Sequence, residues 1–260
     1  MMSSINLKVV TFNILAPSWV TSEIYPSMCL DDYYSRQRLD LKIGYIKKYL
    51  TDADFYCLEE TQRDENVIIA NAFPDYIFCA VYHDDKYWEM WKSSESIFVP
   101  NGVSVGINSK RFLVLNFNDL PLLTGNHAAV VVCKHRKTEK MIRVSSIHLD
   151  DKEMKFSEMF SLIEHLDSNP GSYIDIIAGD FNSNIRSFSI LQMAGFRNVI
   201  LNDTMTTPNP LLGAIDHVVV RGPVVPLSGK IHQLGDYCQT VKINGSDHYA
   251  VECCLGVIAM

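Results

Sequence analysis

Hydrophobic runs alternate with polar segments along the chain, and their spacing predicts a mixture of strands and helices. Short apolar runs, several of them rich in β-branched residues, predict strands at residues 7–15, 55–58, 76–81, 102–108, 111–116, 128–134, 141–147, 173–178, 215–220 and 249–254. Apolar residues at helical spacing predict helices over residues 33–50, 64–71, 152–166 and 187–194. Strands and hairpins interleaved with only a few helices indicate a mixed sheet system with helices outside, hence an α/β or α+β fold.

The composition predicts one globular domain over residues 1–260. The chain is 47% hydrophobic and 20% charged, and its 13 glycines and 10 prolines are spread thinly. This balance excludes disordered, collagen-like and low-complexity chains. One α/β domain routinely reaches this length, and no stretch has the composition of a linker.

The charge balance limits how the protein can bind a polyanion. Its 23 Lys and Arg residues against 30 Asp and Glu residues give a net charge of −7. Such a chain is poorly suited to gripping a long nucleic acid through phosphate charge alone. A phosphate-bearing substrate must therefore be bound locally, by a metal ion or by a few donor groups.

The cysteines and the first residues predict an intracellular protein, cytoplasmic or nuclear. The seven cysteines form no CxxC pair and no Cys/His spacing of the zinc type, so a disulfide framework is not expected. The opening residues MMSSINLK lack the basic head and apolar run of a signal peptide. The apolar stretches are far shorter than the ~18 residues of a membrane span, so no membrane segment is expected.

Polar residues that follow or close the strand-like runs form the candidate site. They stand at six places along the chain: Asn13, Glu60, His148, Asp180 with Asn182, Asp216, and Asp247 with His248. Carboxylate and amide oxygens suit Mg²⁺ or Mn²⁺, and imidazoles beside them can contact phosphate oxygens. The set therefore fits metal-assisted hydrolysis of a phosphoester.

Taken alone, each of these residues also has a structural explanation. Asn13 could be a hydrogen-bonded core amide, and His148 a buried histidine at a strand end. Residues 179–183 (GDFNS) are more specific, because an apolar strand delivers an acid and an amide two positions apart onto one side of an extended chain. Asp216 lies within a hydrophobic strand, where its charge requires a partner such as a histidine.

The order of these sites resembles the successive motifs of the endonuclease/exonuclease/phosphatase superfamily, which has the DNase I-like fold. The matching segments are residues 11–15 (TFNIL), 57–61 (CLEET), 146–149 (SIHL), 179–183 (GDFNS), 215–217 (IDH) and 246–251 (SDHYAV). Glu59 stands where glutamine is common in that family, and Glu60 occupies the ligand position. The resemblance implies a four-layer sandwich in which two packed mixed β-sheets are flanked by helices.

Within the superfamily the chain is most similar to the branch that includes carbon catabolite repressor 4 deadenylases, nocturnin and related phosphodiesterases. The similarity is carried by residues 13–16 (NILA), Trp19, Arg36 with Arg38, residues 52–54 (DAD) and residues 179–183 (GDFNS). This branch implies a substrate that is a nucleic acid or a nucleotide.

The resemblance also implies a metal site. Glu60 would be the principal Mg²⁺ ligand, and Asn13 would contribute to the same metal cluster. Asp247 would hold or approach a second ion.

The remaining motif residues receive catalytic roles from the same resemblance. Asp180 would orient or deprotonate the attacking water, and Asn182 would fix its direction. His148 and His248 would donate to the non-bridging phosphate oxygens. Asp216 would hold the His248 imidazole in its donor tautomer, which also supplies the partner that its buried charge requires.

Four further residues are candidates for substrate binding. Trp88 and Trp91 lie in the segment 83–102, which lacks clear periodicity, and could stack nucleobases or pin this segment to the domain. Arg36 could contact a substrate phosphate or lie on a solvated face. His127 comes just before a strand and could face the site or not.

These features predict a Mg²⁺- or Mn²⁺-dependent phosphodiesterase or nuclease, acting on RNA, DNA or a nucleotide, with RNA or a short oligonucleotide preferred. One alternative is a phosphatase or phosphodiesterase for a small-molecule or lipid phosphoester, such as a phosphoinositide or sphingomyelin. Another is a catalytically silent binding module, against which the retention of every acid and histidine argues. The sequence does not identify a recruiting protein.

Overall fold

Two six-stranded mixed β-sheets packed face to face form the centre of the molecule. The computed structural model describes residues 5–17, 36–84, 100–171, 173–199, 204–209 and 211–258. The strands are β1 (Ile5–Asn13), β2 (Phe55–Gln62), β3 (Tyr76–Tyr82), β4 (Asn101–Asn108), β5 (Phe112–Pro121), β6 (His127–His135), β7 (Met141–His148), β8 (Tyr173–Asp180), β9 (Arg197–Asn198), β10 (Asp216–Arg221), β11 (Val224–Ile231) and β12 (Val251–Val257). The α-helices are α1 (Arg36–Tyr49), α2 (Arg63–Ala72), α3 (Lys155–Ser168), α4 (Ser189–Met193) and α5 (Tyr237–Asn244), with a 3₁₀ turn at Ile185–Ser187.

The two sheets are built in the same way. One has the order β11-β12-β1-β2-β4-β3 and the other β5-β6-β7-β8-β10-β9. Each has a central parallel pair, β1 with β2 and β7 with β8, and antiparallel neighbours on both sides. In each pair the chain crosses from one strand to the next through a helix, α1 or α3.

Three apolar clusters hold the layers together. The largest lies between the sheets and is made of β-strand side chains such as Val105, Val131, Val144, Ile176 and Cys253. A second packs α1 and α2 on the first sheet, and a third packs α3 and α4 on the second. The predicted sandwich of two sheets flanked by helices is therefore confirmed. No helix within the described ranges is long and apolar enough to cross a membrane.

Several elements differ from the sequence prediction. β9, β11 and α5 were not predicted, and β12 begins at Val251, two residues later than expected. The predicted strand at residues 55–58 was expected to end before the two glutamates, but β2 continues to Gln62. It does so through a bulge at Glu60, where φ is 57°, so one residue is inserted into the ladder with β4.

Strand register brings the chemistry-bearing positions to one end of the sandwich. In the second sheet, Asp180 pairs with His148 on β7 and with Asp216 on β10, which places the three residues in one row. In the first sheet, Asn13 at the end of β1 pairs with Glu59 on β2. The two rows meet where the sheets pack together.

Candidate active site

The carboxylate of Asp180 lies at the centre of the site. Its Oδ2 atom is 3.1 Å from Nδ2 of Asn13, 3.8 Å from Nε2 of His148 and 3.9 Å from Nε2 of His248. Asp180 is 2% exposed. Three nitrogen atoms from three strands or loops thus converge on one buried oxygen atom.

The backbone around Asp180 is locked in place. The backbone N–H of Asn182 donates to Oδ1 of Asp180 at 2.8 Å, while the Asn182 side chain donates to the Leu149 carbonyl at 2.8 Å. Asn182 has a φ of 48°, in the left-handed region that asparagine tolerates. Lys155 on α3 donates to the Asn182 carbonyl at 2.8 Å and holds this turn from outside.

Asp216 and His248 form a buried pair. Nδ1 of His248 lies 3.0 Å from Oδ2 and 3.2 Å from Oδ1 of Asp216. Burial acts to lower the pKa of His248, but the Asp216 carboxylate outweighs it, and the pKa is raised well above its ordinary value. The Asp216 carboxylate therefore favours the protonated ring of His248, whose Nε2 faces Asp180. The partner expected for the buried Asp216 charge is present.

The loop that carries His248 is tied to the end of β1. The Ser246 hydroxyl donates to the Asn13 carbonyl at 2.6 Å and accepts from the backbone N–H of His248 at 3.1 Å. Asn244 accepts from Ser246 N and donates to the His248 carbonyl, each at 2.9 Å. These bonds fix the imidazole relative to the first sheet, although Asp216 belongs to the second.

The bulge in β2 turns the Glu60 carboxylate into the site. Oε1 of Glu60 accepts from Nδ2 of Asn13 at 2.9 Å, and Oε2 accepts from the backbone N–H of Ala16 at 2.9 Å. Burial raises the pKa of Glu60, and the nearby Asp247 carboxylate adds to this effect against the opposing influence of His148. A cation at this position would offset the cost of ionising Glu60 here.

Glu59 lies between the two sheets. Its Oε1 atom accepts from the hydroxyl of Thr11 on β1 at 3.0 Å and from that of Ser146 on β7 at 3.3 Å. Burial, reinforced by the Asp216 and Asp180 carboxylates, raises the pKa of Glu59 well above its ordinary value. Burial therefore favours the protonated form of Glu59, a hydrogen-bonded core residue beside the site.

The acidic donors fit a hard divalent cation. Glu60 and Asp247 supply carboxylate oxygens, and Oδ1 of Asp247 is 4.0 Å from Nε2 of His248. Ligand atoms of Asp180, Asp216 and His248 also lie within 4.8 Å of one another, although Nδ1 of His248 is already bonded to Asp216. Asn13 presents its amide nitrogen to the carboxylates, because its oxygen accepts from the backbone N–H of Leu15 at 3.0 Å. As placed, Asn13 orients Glu60 and Asp180 instead of offering an oxygen ligand.

His83 is a site residue that sequence analysis missed. It directly follows β3, is buried, and packs edge-to-face on His148 with the ring centroids 6.2 Å apart. The available signal was its position directly after an apolar run, the position that identified His148.

His127 is held by Asp119 and Asp84, at 2.5 Å and 3.3 Å from its ring nitrogens, and its backbone N–H donates to His83. His127 is thus connected to the site through its backbone hydrogen bond to His83.

The remaining predicted residues lie elsewhere or outside the described part of the chain. Trp88, Trp91 and the side chain of Arg36 fall outside the described residues. Arg38, another cation of the α1 region, is buried and donates to the carbonyls of Leu15 and Gly245 at 2.6 Å and 3.1 Å. It therefore holds two loops of the site together.

Comparison with known proteins confirms the resemblance drawn from the motifs. The structure is similar to ANGEL2, a 2′,3′-cyclic phosphatase, with a TM-score of 0.76 and 15% identity over 98% of this chain and 96% of that one. It is similar to the human Nocturnin catalytic domain with bound sulfate, with a TM-score of 0.72 and 15% identity over 97% and 96% of the two chains. D. rerio TDP2 in complex with a single-strand DNA product gives a TM-score of 0.66 and 14% identity over 96% and 98%.

No protein of curated function matches the chain in sequence. The Endonuclease/Exonuclease/phosphatase family, however, matches residues 10–248, which include every motif from Asn13 to His248. The activities in this family's name all cleave phosphoester bonds. The chain therefore belongs to the endonuclease/exonuclease/phosphatase family and has its DNase I-like fold.

Proposed function

We propose that this protein is a divalent-metal-dependent phosphodiesterase that hydrolyses RNA, a short oligonucleotide or a nucleotide. The observation that carries the proposal is the convergence of two Nε2 atoms, from His148 and His248, on one carboxylate oxygen of Asp180. This arrangement can hold a water molecule beside a proton acceptor and place two donors around a phosphate.

Each residue then has a defined task. Asp180 takes a proton from water at Oδ2 as the water oxygen bonds to phosphorus and the bond to the leaving oxygen breaks. The imidazolium of His248, held by Asp216, and the ring of His148 donate to non-bridging phosphate oxygens, where negative charge builds. Asn182 keeps Asp180 aimed through the backbone bond at 2.8 Å.

Glu60 and Asp247 are the residues that would hold Mg²⁺ or Mn²⁺. Their oxygen donors match the preference of these hard cations. When bound, the ion supplies positive charge to the phosphate and the leaving group. Asn13 supports this site by holding the carboxylates of Glu60 and Asp180 in place.

Two observations support a short nucleic acid or nucleotide as substrate. ANGEL2 is a 2′,3′-cyclic phosphatase and the TDP2 complex contains a single-strand DNA product, so related folds act on nucleic-acid phosphoesters. Arg38 and Lys42 are buried beside the site, and their side chains donate hydrogen bonds to carbonyl and carboxylate oxygens of the protein itself. These bonds are made within the protein and not to the phosphates of a long strand. The substrate-contact roles of Trp88, Trp91, Arg36 and His127 stay predictions.

A substrate panel tests the proposal. Purified protein with Mg²⁺ is assayed on RNA, single-stranded DNA, dinucleotides, 2′,3′-cyclic nucleotides, phosphoinositides and sugar phosphates, with the products resolved by mass. We expect hydrolysis of the nucleic-acid or nucleotide substrates and none in excess EDTA. Turnover in EDTA would refute the metal requirement, and turnover of only lipid or sugar phosphates would favour the small-molecule alternative.

Variants locate the activity in the assigned site. Asp180→Asn and Glu60→Gln should each lower the rate by several orders of magnitude at an unchanged fold, while Glu164→Gln, on the exposed face of α3, should not. Mg²⁺ should raise the melting temperature of the wild-type protein but not that of Glu60→Gln, because binding to the folded state stabilises it. If Mg²⁺ raised the melting temperature of both proteins equally, the metal would have to bind somewhere other than Glu60.

A further inference from the structure

His83 has a fixed tautomer. Its Nδ1 atom accepts a hydrogen bond from the backbone N–H of His127 at 3.0 Å, so Nδ1 carries no proton. A neutral imidazole then carries its proton on Nε2 and donates from there. Burial lowers the pKa of His83 well below its ordinary value, which keeps the ring neutral.

Two buried imidazole nitrogens in this part of the site have no hydrogen-bond partner among the described residues. One is Nε2 of His83 and the other is Nδ1 of His148. The two rings are in edge-to-face contact, with centroids 6.2 Å apart. Leaving a buried polar atom unpaired is costly, so pairing these two nitrogens would remove the cost at both.

Within the described residues, no carboxylate orients the ring of His148. His248 is held at Nδ1 by Asp216, whereas no described residue hydrogen-bonds to Nδ1 of His148. Both rings nevertheless present Nε2 to the same oxygen atom of Asp180. The bond made by one ring nitrogen decides which nitrogen carries the proton and how the ring is turned.

We propose that His83 is the positioning residue for His148. Its Nε2–H donates to Nδ1 of His148, either after a small rotation of the rings or through one bridging water. The inference rests on the proposed function, which gives His148 its role as a donor to phosphate. A donor at Nδ1 leaves the proton of neutral His148 on Nε2, facing Asp180.

The two histidines of the site then differ in the group that orients them. Nδ1 of His248 is held by the Asp216 carboxylate, whereas Nδ1 of His148 takes a neutral N–H donor. Two N–H donors still face the phosphate.

Two substitutions separate the donor at Nε2 of His83 from the acceptor at Nδ1. His83→Gln places an amide N–H near the position of Nε2, and His83→Asn places an amide oxygen near that of Nδ1, where it still accepts from His127. On a minimal phosphodiester, we expect His83→Asn to lower kcat about tenfold with KM and melting temperature unchanged, and His83→Gln to restore most of this loss. The reverse order, or equal losses, would mean that His83 only supports the backbone of His127 and would overturn the proposal.

The tautomer of His148 provides a readout that does not depend on activity. Two-bond ¹H–¹⁵N correlation spectra of the full chain should show the Nε2–H tautomer for His83 and His148, with the preference at His148 lost in His83→Asn. An Nδ1–H tautomer or an imidazolium at His148 in the wild-type protein near neutral pH would overturn the inference, even with phosphodiester turnover. If the spectra show the expected tautomers but the protein hydrolyses no phosphoester, the proposed function is refuted. The inferred hydrogen bond between His83 and His148 is then still supported.

Discussion

Glu59 and Glu60 are neighbours in the chain, but their carboxylates have different surroundings. At Glu60 the strand bulges and φ is 57°, which turns the side chain toward Asn13 and the backbone of Ala16. Glu59 keeps the regular register and points between the sheets, where Thr11 and Ser146 donate to one oxygen. One backbone distortion thus separates a carboxylate of the metal site from a carboxylate of the core.

We predict that Glu59→Gln stabilises the fold and that the gain increases with pH. Because burial raises the folded-state pKa of Glu59, the stability it contributes is present below the unfolded-state pKa and is lost as the pH rises toward the folded-state value. Glutamine has no such proton to lose. The difference in unfolding free energy should therefore grow by up to about 1.4 kcal/mol per pH unit above about pH 4.3.

Urea unfolding in the presence of a chelator, from about pH 5 to about pH 8, measures this difference. Glu164→Gln, on the exposed face of α3, is the matched control and should show no such trend. A pH-independent difference for Glu59→Gln would contradict a protonated Glu59.

The Asp216–His248 contact predicts strong non-additivity in catalysis. The atoms that join the two side chains lie 3.0 Å apart, so removal of either residue removes the same oriented donor. His248→Ala should lower the rate about 10²- to 10³-fold, and adding Asp216→Asn should change it little further. A second double-mutant cycle combines Asp216→Asn with Glu60→Gln. In this cycle the loss of rate in the double variant should be closer to the product of the two single losses. Multiplicative losses in the first cycle would mean that the pair does not act as a unit.

At this scale the sequence predicted the Asp216 pair but not the His83 contact. A charged residue inside an apolar strand requires a partner, and the motif order supplied His248 as that partner. His83 carries no charge that demands compensation. Its contact with His148 depends on how the edge of one sheet packs on the other, which no local pattern encodes.

Among the elements, β8 has a positive φ at the residue directly before Asp180. Gly179 has a φ of 149°, and a Cβ atom built there would lie 1.9 Å from the Ile147 carbonyl oxygen of β7. Only glycine allows β7 and β8 to approach this closely and still place His148 opposite Asp180.

We predict that Gly179→Ala destabilises the protein by about 1–3 kcal/mol or more and abolishes most activity, because the strands must separate at the site. Gly44→Ala in α1 is the matched control, since its added Cβ meets no described heavy atom within 4 Å apart from the adjoining backbone of its own helix. This control should stabilise the fold by about 0.5–1 kcal/mol through helix propensity. Thermal unfolding and turnover measure both variants, and wild-type activity in Gly179→Ala would contradict the strained geometry.

Most long elements could be predicted because the spacing of their apolar residues matches the side of the element that is buried. The amphipathic α3 and the apolar β6, β7 and β8 lie close to their expected bounds. β11 could not be predicted, because it is an edge strand with mostly exposed or half-buried residues and contains Pro226. The short α5 depends on its ends, where the Asp236 side chain accepts from Gln239 N and Gly245 adopts a φ of 76°.

For the molecule as a whole, the cations are distributed in a way that bears on substrate length. Lys110, Arg111, Arg136 and Lys137 line a cavity of about 330 Å³ at the end of the sandwich where β1 begins. The candidate site lies at the opposite end, where β1 and β8 finish with Asn13 and Asp180. A strand of nucleic acid bound at the site would therefore leave this basic cluster untouched unless it ran the length of the molecule.

We therefore predict a shallow salt dependence for binding of single-stranded RNA to the Asp180→Asn variant. Two or three phosphate contacts give a slope of roughly −1.4 to −2.1 in a plot of log affinity against log salt. Adding Arg136→Gln and Lys137→Gln should leave affinity and slope unchanged, because these side chains lie at the far end. Fluorescence anisotropy with a trinucleotide and with a longer strand measures both quantities, and the two lengths should give similar slopes. A steep slope for the longer strand that the two substitutions reduce would show that nucleic acid reaches the basic cluster, and would overturn the assignment of a short substrate held only at the metal site.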